Sequence, residues 1–167
     1  MSLNNIKKMK KDNGFTIVEL LIVIVVIGIL AAIVIVAYQG VTSRANNSAA
    51  LSTATLATKK AEAYNADIGN YPVTFATLTG AVSNTPYRLN GVASIATLAN
   101  TTPTNTINFE VCGSGTPANL AAITTSTVVG IRAIYRDYTG AGSDITRTAG
   151  TTTGAGVNCF DSLGSAT

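Results

Sequence analysis

The longest apolar stretch of the chain covers residues 15–38 and contains one charged side chain, Glu19. At about 1.5 Å per helical residue, this stretch can cross a hydrocarbon core of roughly 30 Å, so it is predicted to be a membrane helix. A carboxylate inside such a helix costs roughly 2.5–3.5 kcal/mol on insertion scales. Glu19 is therefore expected either to lie shallowly enough to stay hydrated or to have a binding partner.

The pattern becomes periodic after Gly40. Apolar residues then recur at helical spacing on one face, at Ala50, Ala54, Ala57, Ala61, Tyr64 and Ile68. Because Ser, Thr, Asn and Lys occupy the opposite positions, the same helix is predicted to continue to about residue 65. Its apolar stripe is expected to pack on the globular part of the same chain, with a partner-binding helix as the alternative. Gly69 and Pro72 should end it.

The second half of the chain is predicted to form a sheet. Residues 73–103 read as an irregular connection with one short helix and one short strand. Alternation at Ile107, Phe109 and Val111 indicates a strand with one apolar and one polar face, and further strands are predicted at 129–138, 145–148 and 157–160. An antiparallel sheet packed on the amphipathic half of a long helix of about residues 15–65 is an α+β fold.

The formal net charge of +3 comes from the N-terminus. Residues 1–14 contain four lysines and one aspartate, whereas residues 15–167 carry seven basic and seven acidic side chains. The lysines should keep residues 1–14 in the cytoplasm and orient the helix that follows. A nucleic-acid partner is not indicated, because the rest of the chain has no excess positive charge.

The sequence contains few residues that could support catalysis or bind a ligand. The chain has no histidine, which excludes a histidine-based catalytic triad and the usual zinc sites. No glycine-rich segment is followed by Lys-Ser or Lys-Thr, so a phosphate-binding loop is absent. Asp137 and Asp144 flank a turn that could form a weak calcium loop, although calcium prefers about six to eight oxygen ligands. Neither enzymatic activity nor a cofactor or metal is predicted.

The N-terminal residues resemble those of a known protein family. The lysine-rich leader, Gly14, the sequence Phe-Thr-Ile-Val-Glu and the unbroken apolar helix resemble a type IV prepilin of the pilin and pseudopilin superfamily. In that family a membrane-embedded aspartyl peptidase cuts after the glycine and methylates the new terminus. The resemblance implies cleavage between Gly14 and Phe15 and N-methylation of Phe15. Val36 stands where many pilins have proline, so a proline kink is not expected.

The resemblance also implies roles in assembly. Glu19 of an incoming subunit would pair with the Phe15 amine of a subunit already in a filament. Each charge alone would cost several kcal/mol to bury, so the pair would fix the stagger between subunits. Gly28 weakens the helix by roughly 1 kcal/mol relative to alanine and also permits close helix approach; the two roles are compatible.

Two cysteines, Cys112 and Cys159, lie in the outer segments of the predicted sheet. An even count in an exported chain favours a disulfide, with two buried thiols as the alternative. A C-terminal disulfide loop is common in pilins. Such a bridge would contribute about 4 kcal/mol in the chain-entropy model.

The implied organisation has five parts. They are a cleaved leader (1–14), a transmembrane and filament-core helix (15–39), its amphipathic continuation (40–68), a connecting αβ-loop region (69–103) and a sheet with a disulfide-bounded loop (104–167). The resemblance implies a pilin stored in the inner membrane with its N-terminus in the cytoplasm. Prepilin peptidase, an assembly platform and a cytoplasmic ATPase would then convert it into an extracellular homopolymer. The alternatives are a pseudopilin of a type II secretion or DNA-uptake system and a signal-anchored surface protein that never polymerises.

Overall fold

The computed structural model describes residues 14–80, 85–99, 101–139 and 143–161. It divides into two compact units, Met1–Gln39 and Gly40–Thr167. The predicted leader up to residue 13 and the turn at residues 140–142 lie outside the described residues.

Helix α1 spans Ile17–Ile68, which is 52 residues. It confirms the long predicted helix and ends three residues later than expected. Gly69 ends it by adopting φ +86°, a left-handed conformation that favours glycine, and its N–H donates to the Asn65 carbonyl at 2.8 Å. The helix is long and apolar enough to cross a membrane by length and composition.

After α1, the described residues form one short helix and five strands. These are α2 (Phe75–Thr79), β1 (Ala93–Ser94), β2 (Thr106–Ser114), β3 (Val128–Arg136), β4 (Asp144–Gly150) and β5 (Val157–Asp161). A single 3-10 turn at Leu120–Ala122 lies between β2 and β3. The short helix and short strand expected before residue 103 are therefore present as α2 and β1.

Strand β2 is the centre of the sheet. It pairs antiparallel with β3 on one side and antiparallel with β5 on the other, while β1 pairs with its beginning in parallel. Strand β4 pairs antiparallel with β3. The α+β class is confirmed, and the sheet is mixed because β1 runs parallel for two residues.

The core of the second unit forms between α1 and one face of the sheet. Ala50, Ala54, Ala57 and Ala61 are buried in one cluster with Phe109. The predicted stripe therefore does pack on the chain's own domain. Ile68 departs from the prediction because it is 48% exposed, in the last turn before Gly69.

The predicted polar face of β2 is also buried, which the alternation pattern did not indicate. Asn108 is 7% and Glu110 1% exposed. The Asn108 amide donates to the Ala96 carbonyl at 2.8 Å, and Arg132 contacts Glu110 at 3.4 Å and the Thr152 carbonyl at 2.7 Å. These contacts compensate in part for the burial of polar groups, because Asn108 Oδ1 is buried without a hydrogen-bond partner among the described residues.

Strand β4 is an edge strand, since within the described residues its only sheet partner is β3. Arg147 on β4 is opposite Ala133 and two residues from buried Ala149, so it lies on the side of the sheet that faces the core. Arg147 is nevertheless exposed, as are Thr146 and Thr148 beside it.

Candidate assembly site at the start of helix α1

The start of α1 is closed by a reciprocal cap between Thr16 and Glu19. The Thr16 N–H donates to Glu19 Oε2 at 2.9 Å, and the Thr16 hydroxyl donates to the same oxygen at 2.8 Å. The Glu19 N–H in turn donates to Thr16 Oγ1 at 3.2 Å. This is a capping box, in which the residue before the helix and the third helical residue satisfy each other's backbone donors.

The cap places the carboxylate in a favourable field. Glu19 lies in the first turn of α1, where the aligned peptide dipoles carry partial positive charge. Both hydrogen bonds from Thr16 arrive at Oε2. Among the described residues no hydrogen bond reaches Oε1, so the second oxygen can accept from another group.

The predicted cleavage site lies directly before this cap. Phe15 is 90% exposed, and no atom lies within 4 Å of the position that a Cβ on Gly14 would take. Gly14, Phe15 and Glu19 therefore lie together at the start of the helix. Gly28 lies further along, and α1 is continuous through it, with open space around its Cα.

The large apolar side chains around and after the cap are not covered by any of the residues that the structure describes. From Phe15 to Val36 they are between 47% and 90% exposed. Isoleucine, valine and leucine occur on every side of the helix, so no polar face is left for water. Such a helix needs an apolar environment all round, either lipid or other apolar helices.

The two cysteines are joined in a disulfide. Cys112 on β2 and Cys159 on β5 are directly opposite each other, with their Cα atoms 4.0 Å apart, and both are buried. The predicted disulfide is therefore confirmed, and the alternative of two buried thiols is wrong. On the same face of the sheet, Glu110 is opposite Asp161, and both carboxylates are buried.

The possible calcium loop is not supported by the contacts of its two carboxylates. Asp137 accepts from the Thr139 N–H at 2.8 Å and from its hydroxyl, and these bonds lower the pKa of Asp137. Asp144 pairs with Arg136 at 3.1 Å. In the part of the chain that the structure describes, no group of three or more His, Cys, Asp or Glu side chains could hold a metal ion.

Sequence reasoning missed Thr16 and Arg132. Thr16 could have been found, because a threonine followed three residues later by glutamate before an apolar run is the capping-box pattern. Arg132 could not, because its partners Glu110 and the Thr152 carbonyl lie about 20 residues away on either side.

The comparison with known protein families matches the same N-terminal part of the chain. A family model described as "Prokaryotic N-terminal methylation motif" matches residues 9–35. A fimbrial protein of Neisseria meningitidis serogroup A is 34% identical over 106 residues, which are 61% of this chain and 62% of that protein. A fimbrial protein of Pseudomonas aeruginosa is 52% identical over 44 residues, covering 26% of this chain and 29% of that protein.

A third relative comes from a secretion system. The type II secretion system core protein G of Vibrio cholerae is 34% identical over 68 residues, covering 41% of this chain and 47% of that protein. The chain thus spans less than two thirds of each of these curated relatives. No solved structure matches significantly.

The chain has a pilin-like α+β fold, in which a long N-terminal helix is followed by a small mixed sheet. The chain carries the N-terminal methylation motif of prokaryotic prepilins, and it is similar to type IV pilins and to a type II secretion protein. None of these relatives is named for an enzymatic activity.

Proposed function

We propose that this chain is the structural subunit of a type IV pilus, cleaved between Gly14 and Phe15 and polymerised through α1. The observation that carries the proposal is the start of α1. There a capped carboxylate, whose second oxygen accepts no hydrogen bond from the described residues, begins an apolar helix that none of those residues covers. The fimbrial relatives support the same role.

Cleavage would give Phe15 a positively charged α-amine at the start of the helix. In a bundle of such helices, that amine and the Glu19 carboxylate would both be removed from water. A neighbouring subunit at the correct axial stagger brings them together through Oε1, whereas a slipped stagger leaves both unpaired. The pairing would therefore select one register of the filament.

The remaining parts follow from this assignment. Residues 1–14 act as the cytoplasmic leader that prepilin peptidase removes, and residues 15–39 hold the precursor in the inner membrane before they enter the filament core. Gly28 lets neighbouring helices approach closely. Residues 40–68 support the αβ-loop region and the sheet, which face outward. An assembly platform and a separate ATPase supply the work of extraction.

The first test is the mass of the mature N-terminus. Protein purified from its native host should begin at N-methylated Phe15, and a Gly14→Val variant should keep its leader because the peptidase must accept the residue before the cut. A chain that still begins at Met1 would support the non-polymerising surface anchor. A Gly14→Val protein shortened to the normal length would contradict cleavage at this site.

The second test separates charge pairing from capping. Glu19→Gln keeps an oxygen that can accept from Thr16 but has no charge, whereas Glu19→Ala loses both. Both variants should be processed, and both should give at least about tenfold fewer filaments, because an unpaired amine in the filament core costs several kcal/mol. Normal filament yield from Glu19→Gln would show that the charge of Glu19 is not required.

A pseudopilin is the second candidate, favoured by the match to the Vibrio cholerae secretion protein. Electron microscopy with an antibody to the second unit distinguishes the two. Long surface filaments containing this chain indicate a pilus, whereas short assemblies confined to the periplasm indicate a secretion or DNA-uptake system.

A further inference from the structure

The loop before β1 contains an Asn-Gly pair with an arginine in direct contact. Asn90 and Gly91 are both exposed, between buried Leu89 and half-buried Val92. The Arg88 Nε–H donates to Asn90 Oδ1 at 2.7 Å. Neither the filament role nor the fold of the second unit accounts for this contact.

We propose that Asn90 is a self-modifying site, at which the Gly91 nitrogen converts the side-chain amide into a carboxylate with the help of Arg88. The proposal does not depend on filament assembly. It uses atoms of residues 88–91 and water.

The reaction balances without a cofactor. Solvent hydroxide takes the proton of the Gly91 N–H, the nitrogen bonds to Cγ of Asn90, and Oδ1 becomes an oxyanion. The oxyanion collapses, the bond from Cγ to Nδ2 breaks, and ammonia leaves with a proton from water. Water then opens the resulting five-membered imide at either carbonyl, which gives an aspartyl or an isoaspartyl residue.

Two features of the structure favour this step at Asn90. Gly91 has φ +70°, and apart from its two chain neighbours no described residue places an atom within 4 Å of the position that its Cβ would occupy, so the rest of the fold does not pack against Gly91 on that side. Arg88 already donates a charge-assisted hydrogen bond to the oxygen that becomes negative. A donor about 2.7–3.1 Å from a developing oxyanion lowers the barrier to its formation.

The product would change both charge and backbone. Residues 15–167 carry equal numbers of acidic and basic side chains, so one new carboxylate makes this part of the chain net negative, next to Arg88. The isoaspartyl form also lengthens the main chain before Gly91. The Gly91 carbonyl accepts from Asn105 Nδ2 at 2.8 Å, and the Ala93 N–H donates to the Asn105 carbonyl at 3.0 Å. The longer chain should weaken both of these bonds at the entry to β1.

The test uses the full chain in detergent micelles, incubated at neutral and mildly alkaline pH in water enriched in the heavy oxygen isotope. Peptide mapping should find the heavy isotope in a new carboxylate at residue 90, increasing with time and with pH. Asn119 is the internal control, because it is exposed, accepts from the Ala122 N–H and is followed by the bulky Leu120. Conversion at residue 90 no faster than at residue 119 would overturn the proposal.

Two variants test the assigned atoms. Asn90→Gln lengthens the side chain by one methylene and should abolish isotope uptake at this position. Arg88→Met keeps an unbranched stem without a donor and should slow conversion of Asn90 by roughly three- to tenfold, with the disulfide and the circular dichroism unchanged. After unfolding, wild type and Arg88→Met should convert at the same rate. Equal rates in the folded proteins would remove Arg88 from the mechanism.

Discussion

The two halves of helix α1 have the same backbone conformation and opposite surroundings. In the first unit the helix carries large apolar residues, and none of those described is buried. In the second unit the buried positions are Ala50, Ala54, Ala57, Thr58 and Ala61, all with small side chains. The most hydrophobic part of the helix is therefore absent from the core that the described residues form. Its side chains are available to lipid or to other copies, whereas the alanines allow close packing against the sheet.

The clearest test of this difference is to remove one large side chain from each unit and compare the free energies of unfolding. Phe109→Ala should lower the free energy of unfolding of the second unit by about 5 kcal/mol, because Phe109 is fully buried and its ring lies 5.4 Å from that of Phe75. Ile24→Ala, at a position 60% exposed, should leave this value unchanged. Urea unfolding of both proteins in micelles measures the difference, and a comparable loss for Ile24→Ala would show that the first unit contributes to the core.

Loss of the disulfide should have the next largest effect on the free energy of unfolding, and this effect should be confined to the second unit. Replacing Cys112 and Cys159 together by serine should lower the free energy of unfolding by about 4 kcal/mol, from the chain entropy of a 47-residue separation. Hydrogen exchange in residues 17–39 should not change. Faster exchange there would indicate that stability is shared along the whole of α1.

Loss of the cap should have a smaller effect on stability, limited to the start of helix α1 in the first unit. Thr16→Ala removes the hydroxyl that bonds both Glu19 Oε2 and the Glu19 N–H, at a cost of about 1 kcal/mol. Amide exchange of residues 17–19 should become about fivefold faster. Thr16→Ser keeps the hydroxyl and is the matched control; equal exchange in the two variants would exclude the threonine side chain from the cap.

The smallest expected effect is a loss of stability of the second unit at alkaline pH. Burial, and to a lesser extent the charge of Glu62, raises the pKa of Tyr71, and burial raises the pKa of Tyr138. A raised folded-state pKa means that stability is complete below the unfolded pKa of about 10 and falls as the pH rises from there through the folded pKa. Tyr71→Phe should reduce this alkaline loss, as measured by urea midpoints against pH. An unchanged pH dependence would show that Tyr71 ionises equally in both states.

Much of the fold followed from local patterns. The helix was predictable because apolar residues changed from continuous to periodic at residue 40 without a break, and Gly69 and Pro72 marked its end. Strands β2 to β5 followed from alternation and glycine-rich turns. The burial of Asn108 and Glu110 did not follow, because it depends on contacts with Ala96, 12 residues away, and with Arg132, 22 residues away.

The candidate site was predictable in part for a related reason. Gly14, Phe15 and Glu19 lie within six consecutive residues, so their proximity is set by one helical turn. The particular oxygen that Thr16 engages depends on side-chain rotamers, which the order of residues does not determine. The disulfide was expected from the cysteine count, but its position across β2 and β5 depends on strand register.

The exposed arginine on β4 has a consequence for the surface of the second unit. An edge strand has unpaired backbone groups that can hydrogen-bond to another strand. In a protein present in many adjacent copies, edge strands of different copies would be especially prone to pair with one another. A strand added along β4 would place its own side chains beside the Arg147 guanidinium on this face of the sheet. In the proposed filament, Arg147 would therefore oppose lateral pairing between the β4 strands of neighbouring copies.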